Sequence, residues 1–178
     1  MSKRIFSFKD TPPKVAYIDP SFFVNYLVVD GRYHKECVSY SGKLEAHETI
    51  LLLSNLGVDE IWFAILRVLS EKYLIENKIK ANWFRYLSEN PDIIRSFSKQ
   101  IEEDTFAILE IPRLAVIEIS KDQTLNSLSA MKKYGLFPRD AIHATAAKLS
   151  GAGAIITTDI DFIRVNNIEI YTCNPKAF

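Results

Sequence analysis

Five short apolar runs, "KVAYID" (14–19), "TILLLSN" (49–55), "LAVIEIS" (114–120), "AIITT" (154–158) and "IEIYTC" (168–173), alternate with longer stretches whose apolar residues recur every three or four positions. Runs of this length, bounded by turn residues and rich in β-branched side chains, predict strands buried on both faces. Strands that alternate with helices pair in parallel through right-handed crossovers, which places helices on both faces of one sheet. The expected fold class is therefore α/β with a doubly wound parallel sheet.

The punctuation between the runs is equally informative. Asp19-Pro20 predicts a helix start over "PSFFVNYLV", because Asp is a favoured cap and Pro a favoured first residue, and Asp30-Gly31 stops it. A polar stretch at 32–47 is expected to be partly helical. In "LGVDEIWFAILRVLSEKYL", Ile61, Ile65, Val68 and Leu69 share one face of a long helix, with Asp59 and Glu60 near its start. Two more helical patterns, around "KANWFRYLS" and "DIIRSFSKQIEEDTFAIL", are separated by Asn90-Pro91 and closed by Pro112. Helices are expected from Lys121 to about Tyr134, stopped by Gly135, and from Pro138 to Leu149, followed by Gly151 and Gly153.

Neither an internal repeat nor a low-complexity linker interrupts the chain, so one domain is expected over residues 1–178. Hydrophobic residues at 48% and charged residues at 25% exclude a disordered or collagen-like chain. The net charge of +0 selects no polyanionic partner by itself, so any such partner has to be held by a local patch. Cys37 and Cys173 stand apart from each other and from any His-rich segment, which argues against a zinc site and for a reducing compartment. No run approaches the roughly 18 to 20 apolar residues that span a bilayer, and "MSKRIFSFKDTPPK" lacks the pattern of a signal peptide. A cytoplasmic protein with no membrane partner is expected.

Each acid near these boundaries has a local explanation. Asp19, Glu60 and Asp140 suit helix N-termini, Asp159 could cap a turn into "DFIRV", and Asp161 could be solvated. Jointly they say more. Asp19, Glu60 and Asp159 follow strands, and ligands of open α/β sheets bind at the carboxyl ends of strands. Carboxylates converging there repel one another until a cation neutralises them. An oxygen-only set suits Mg²⁺ or Mn²⁺, and such an ion promotes hydrolysis of a phosphodiester.

The stretches "VAYIDPSFFVNYL", "SNLGVDEIWFAIL" and "LFPRDAIHATAAKLSGAGAIITTDIDF" resemble the three motif regions of the PIN domain family. That resemblance implies a Rossmann-like parallel sheet and metal-dependent ribonuclease activity, commonly as the toxin of a toxin–antitoxin pair, with an antitoxin protein and a homodimer as expected partners. It implies catalytic and metal-holding roles for Asp19, Glu60, Asp140 and Asp159, a metal-site role for Asp161, and support from Ser21 and Thr157. The segment at about 72–114 is longer than in compact toxins of the family and is expected to be a helical insertion.

Arg139, Arg164 and Lys148 lie near these acids in sequence and are candidates for RNA phosphate. His143, one turn after Asp140, is expected to pack or to support a neighbour, with substrate contact the alternative. "KIKANWFRYL" offers aromatic and basic residues to single-stranded RNA, or a half-buried helix face. Gly151-Ala152-Gly153 precedes its strand, so it is no dinucleotide loop. Ser21 stands where an aspartyl-phosphate phosphatase needs a second Asp. The chief rival is a non-catalytic PIN-like module that binds RNA or protein; a nuclease acting on structured DNA or a pre-ribosomal RNA is a further alternative.

Overall fold

The computed structural model describes residues 4–178, so residues 1–3 of the basic start lie outside it. Among the described residues six strands form one sheet: β1 (Ile5–Ser7), β2 (Val15–Ile18), β3 (Ile50–Ser54), β4 (Leu114–Ile117), β5 (Ala154–Ile156) and β6 (Glu169–Thr172). Their order is β1-β6-β5-β2-β3-β4, and every neighbouring pair is parallel. Seven α-helices are found among the described residues: α1 (Pro20–Leu27), α2 (His34–Ala46), α3 (Asn55–Glu76), α4 (Trp83–Glu89), α5 (Pro91–Leu109), α6 (Lys121–Tyr134) and α7 (Pro138–Leu149). The five expected strands and the expected helices are present.

Alternation along the strands builds two cores. Ala16, Ile18, Leu51, Leu53, Ala154 and Ile156 face one side and pack with Phe22 and Phe23 of α1, Tyr40 of α2, Ile61 and Ile65 of α3, and Ile108 of α5. Tyr17, Ile155 and Ile170 face the other side and pack with Ala141, Ala144 and Ala147 of α7 and with Leu136 and Phe162. Each fully buried Ile or Phe contributes roughly 1.5–3 kcal/mol, so both layers are held mainly by burial.

The helix starts follow local chemistry. Asp19 caps α1, Ser54 caps α3 and Ser120 caps α6 in a capping box with Gln123. Glu60 is therefore not the cap of α3; Ser54 accepts the Gly57 N–H at 3.0 Å in that role. Gly135 ends α6 at φ 62, a left-handed conformation that costs glycine no Cβ clash.

The edge strand β1 is the element that the apolar pattern does not reveal. It has three half-buried residues, and its position is set by pairing with β6 and by Phe6 stacking on Tyr171 at 4.7 Å. The α4–α5 segment packs on α3 through aromatic contacts: Phe63 meets Trp83 at 5.2 Å, and Tyr73 meets Phe97 at 6.1 Å. Trp83 thus spends one ring edge or face on its own chain, and Leu87 is buried, while Phe84 is exposed. No helix among the described residues is long and apolar enough to cross a membrane.

The chain runs outward from β2 through β3 to β4, then returns to place β5 on the other side of β2. The order reverses between β2 and β5, so the crevice at their carboxyl ends is the expected ligand position. Asp19 follows β2, and Asp159 follows β5.

Candidate active site

Asp19 is almost wholly buried at this reversal point, with 4% exposure. Its Oδ2 accepts bonds from the Ser21 N–H at 3.2 Å, from the Ser21 hydroxyl, and from the Thr157 hydroxyl at 2.9 Å. Those bonds leave Oδ1 outside the set. Burial pushes the Asp19 carboxyl above its ordinary range, and Asp159 adds to this, whereas His143, Ser21 and Thr157 oppose it.

Thr157 also accepts the Asp159 N–H at 2.9 Å, and Ser21 Oγ accepts the Thr158 N–H at 3.0 Å. The two hydroxyls thereby join the ends of β2 and β5 directly. Asn25 of α1 extends the seam by donating to Thr158 Oγ1 at 3.2 Å, and Asn174 donates to the Thr158 carbonyl at 2.9 Å. Nothing in the spacing of Asn25 or Asn174 marks them as neighbours of the site; only the folded sheet brings them there.

Asp159 caps the 3₁₀ turn Ile160–Arg164, accepting the Asp161 N–H at 2.8 Å, as expected of a turn cap. Asp140 lies in the first turn of α7 and is half-buried. Its carboxyl is pushed up to about 6, first by burial and then by the charges of Asp159, Asp19 and Asp161, with His143 opposing. Carboxylates from α7, β2 and the turn after β5 therefore share one electrostatic environment.

Glu60 is engaged by two neighbouring side chains. Its Oε1 faces His143 Nε2 at 3.2 Å and Arg139 Nε at 3.7 Å. His143 is fully buried, so packing and support of Glu60 describe it, and it presents no surface to a substrate. On its other side His143 Nδ1 lies 2.5 Å from the hydroxyl of Tyr17, which donates to Ser54 Oγ at 2.7 Å. Burial raises the Tyr17 phenol far above its ordinary range. Tyr17 and Ser54 are missing from the sequence-based set because one reads as an ordinary strand residue and the other as an ordinary cap.

Arg139 and Arg164 are exposed but engaged: Arg139 with Glu60, and Arg164 with Asp161 and with the Gly135 carbonyl at 2.8 Å. Lys148 sits eight residues beyond Asp140, about 12 Å along the helix axis. Its Nζ donates to the Tyr134 hydroxyl at 3.0 Å, so it belongs to another part of the surface.

Among the described residues, no three His, Cys, Asp or Glu side chains form a ready-made cage for a metal ion. The donor chemistry nevertheless fits a hard divalent cation. It consists of oxygen alone, it is mutually repelling, and it includes an Asp with one oxygen pinned by hydroxyls and the other outside those bonds. An ion that keeps several waters, as Mg²⁺ does, needs only one or two direct carboxylate ligands.

An all-parallel sheet with carboxylates at its reversal point defines an α/β protein whose candidate site lies at the carboxyl ends of its strands. The PIN domain family model matches residues 16–168, and the chain belongs to that family. It is 28% identical over 130 residues to Ribonuclease VapC2 of Methanocaldococcus jannaschii, covering 72% of this chain and 83% of that protein. The solved structure of VapC20 from Mycobacterium tuberculosis, described as a Sarcin-Ricin loop cleaving toxin, aligns with TM-score 0.58 and 14% identity over 86% of this chain and 97% of that one. VapBC2 from Rickettsia felis, solved bound to a DNA fragment from its promoter, aligns with TM-score 0.53 and 18% identity, covering 87% and 96%. These two likenesses bear out the expected fold.

Proposed function

We propose that this chain is a metal-dependent endoribonuclease of the VapC type, one domain over residues 1–178 with the segment at about 72–114 as a helical insertion, acting on RNA in the cytoplasm. The observation that carries the proposal is the buried Asp19 carboxylate at the reversal point of the sheet, held at Oδ2 by Ser21 and Thr157 with Oδ1 outside those bonds, while Thr157 also takes the Asp159 N–H. The name of the archaeal relative, a ribonuclease, supports the same chemistry.

Asp19, Glu60, Asp140 and Asp159 are the residues that would hold Mg²⁺ or Mn²⁺, some through water, with Asp161 at the rim. Bound there, the ion would supply an acidified water and neutralise charge on a phosphate oxygen. Ser21 and Thr157 fix Asp19 by its Oδ2, which keeps Oδ1 for a ligand. Asp140, pushed up to about 6, keeps its proton to higher pH than an ordinary carboxyl, and a bound cation would favour its deprotonated form, because ligands bind deprotonated. Arg139 and Arg164 would exchange their present carboxylate partners for phosphates of the RNA backbone. By similarity to the VapBC pair an antitoxin protein is the proposed partner, and by the family resemblance a homodimer is the proposed assembly.

The test is cleavage of mixed single-stranded and structured RNA with Mg²⁺ or Mn²⁺, comparing the wild type with Asp19→Asn and Asp140→Asn prepared identically. Both substitutions are expected to reduce the rate by more than about a hundredfold. Equal rates in all three would sink the proposal. The lack of a ready-made cage is the one observation that favours a non-catalytic RNA- or protein-binding module. That reading requires a wild type with neither cleavage nor acid-dependent Mn²⁺ affinity.

A further inference from the structure

Four side chains from four separate segments form one continuous polar strut beneath the carboxylates. Ser54 ends β3, Tyr17 lies in β2, His143 in α7 and Glu60 in α3. The first three are fully buried, and the Glu60 side chain is 19% exposed. Ser54 Oγ takes the Gly57 N–H at 3.0 Å and the Tyr17 hydroxyl at 2.7 Å. Tyr17 meets His143 Nδ1 at 2.5 Å, and His143 Nε2 meets Glu60 Oε1 at 3.2 Å. Ser54 and Glu60 belong to the cap and second turn of the same helix, so the strut closes on itself through α3.

The Glu60 carboxylate only accepts, so His143 Nε2 is the donor toward it. Nδ1 is engaged by the Tyr17 hydroxyl, so the ring cannot flip without breaking both buried contacts. That fixed ring aims Nε2 at one oxygen of Glu60. A buried polar network of this kind is costly unless each member is satisfied, and a satisfied one allows a single arrangement. Apolar residues would stabilise the same space without dictating where a carboxylate points.

We infer that Tyr17 and His143 are positioning residues that hold the Glu60 carboxylate at the cation site, although neither touches cation or RNA. The inference rests on the metal-site reading given above. Groups that hydrogen-bond a ligating carboxylate typically govern affinity by about 10- to 100-fold when removed.

Mn²⁺ affinity measured by calorimetry on the full chain tests this, with kcat and KM for RNA read separately at saturating Mn²⁺. Tyr17→Phe keeps the ring and removes the hydroxyl; His143→Ala removes the link to Glu60; His143→Gln keeps a side-chain donor. The expected result is Mn²⁺ affinity reduced about tenfold in Tyr17→Phe and His143→Ala, partly restored in His143→Gln, with kcat lowered and KM unchanged. Tyr17→Phe made in a Glu60→Gln background should have no further effect on Mn²⁺ affinity, because the strut then has nothing to orient. If His143→Ala fails to fold, the Tyr17→Phe and Glu60→Gln pair alone decides the matter. Additive losses in that pair, or wild-type Mn²⁺ affinity in Tyr17→Phe while Asp19→Asn loses it, would overturn the inference and leave the metal site standing. No Mn²⁺ binding by the wild type would overturn both.

Discussion

Two tyrosines, one on each side of the sheet, are buried to the same degree and treated differently. Tyr17, 0% exposed on the α7 side, has its hydroxyl between Ser54 and His143; Tyr40, 1% exposed on the α1–α2 side, has a buried hydroxyl with no hydrogen-bond partner. Tyr40 instead stacks on Phe8 at 4.2 Å with nearly parallel rings. The difference teaches where this fold spends its buried polarity. On the α7 side polar atoms are matched and reach an acid; on the other side a phenol serves as a large apolar plate, and its oxygen is a cost.

That contrast can be broken by the simplest of substitutions. Tyr17→Phe leaves His143 Nδ1 buried without its partner, and a loss of about 1–3 kcal/mol is expected in urea unfolding, with an unchanged m-value. A neutral result would mean that the polar side is no better matched than the apolar one.

A smaller effect is expected at Asp140. A carboxyl whose folded-state pKa is about 6, against 3.8 ordinarily, binds its proton more tightly in the folded chain. Its contribution favours folding fully below about pH 4 and is lost as pH rises through about 6. In cation-free protein, Asp140→Asn should therefore flatten the fall of stability between these values and gain on the order of 1 kcal/mol at pH 7, after allowance for partial exposure. Thermal melts across that pH range check it, and an unchanged slope would remove Asp140 from the repelling group.

The smallest change is expected at Tyr40. Removing an unpaired hydroxyl leaves the stacked ring in place, so Tyr40→Phe should be neutral or stabilise by up to about 1 kcal/mol. Destabilisation beyond that in the same unfolding assay would show that the hydroxyl does have a partner and that the comparison of the two sides fails.

Much of this was legible before any coordinates. Apolar runs and Gly/Pro punctuation gave five strands and the helices around them, and strand ends gave the aspartates. The strand β1 was not legible, because three half-buried residues carry no period and take their conformation from β6. The setting of Glu60 was not legible either. It depends on His143 and Arg139, which lie 83 and 79 residues away and have no pattern in common with it. Likewise Ser54 and Tyr17 each satisfy a local rule, cap and strand former, that conceals their shared tertiary bond.

The reversal of strand order has a consequence for how the protein is made. Asp19 meets Thr157, 138 positions further along the chain, and β2 waits for β5 before its second neighbour exists. Pairing this distant in sequence is formed late, after the local helices and the β2–β3 contact. During synthesis the carboxylate that follows β2 therefore remains without the one that follows β5 until most of the polypeptide has emerged. The crevice cannot close before β5 is made, so a shorter nascent chain lacks the half of it that carries Asp159.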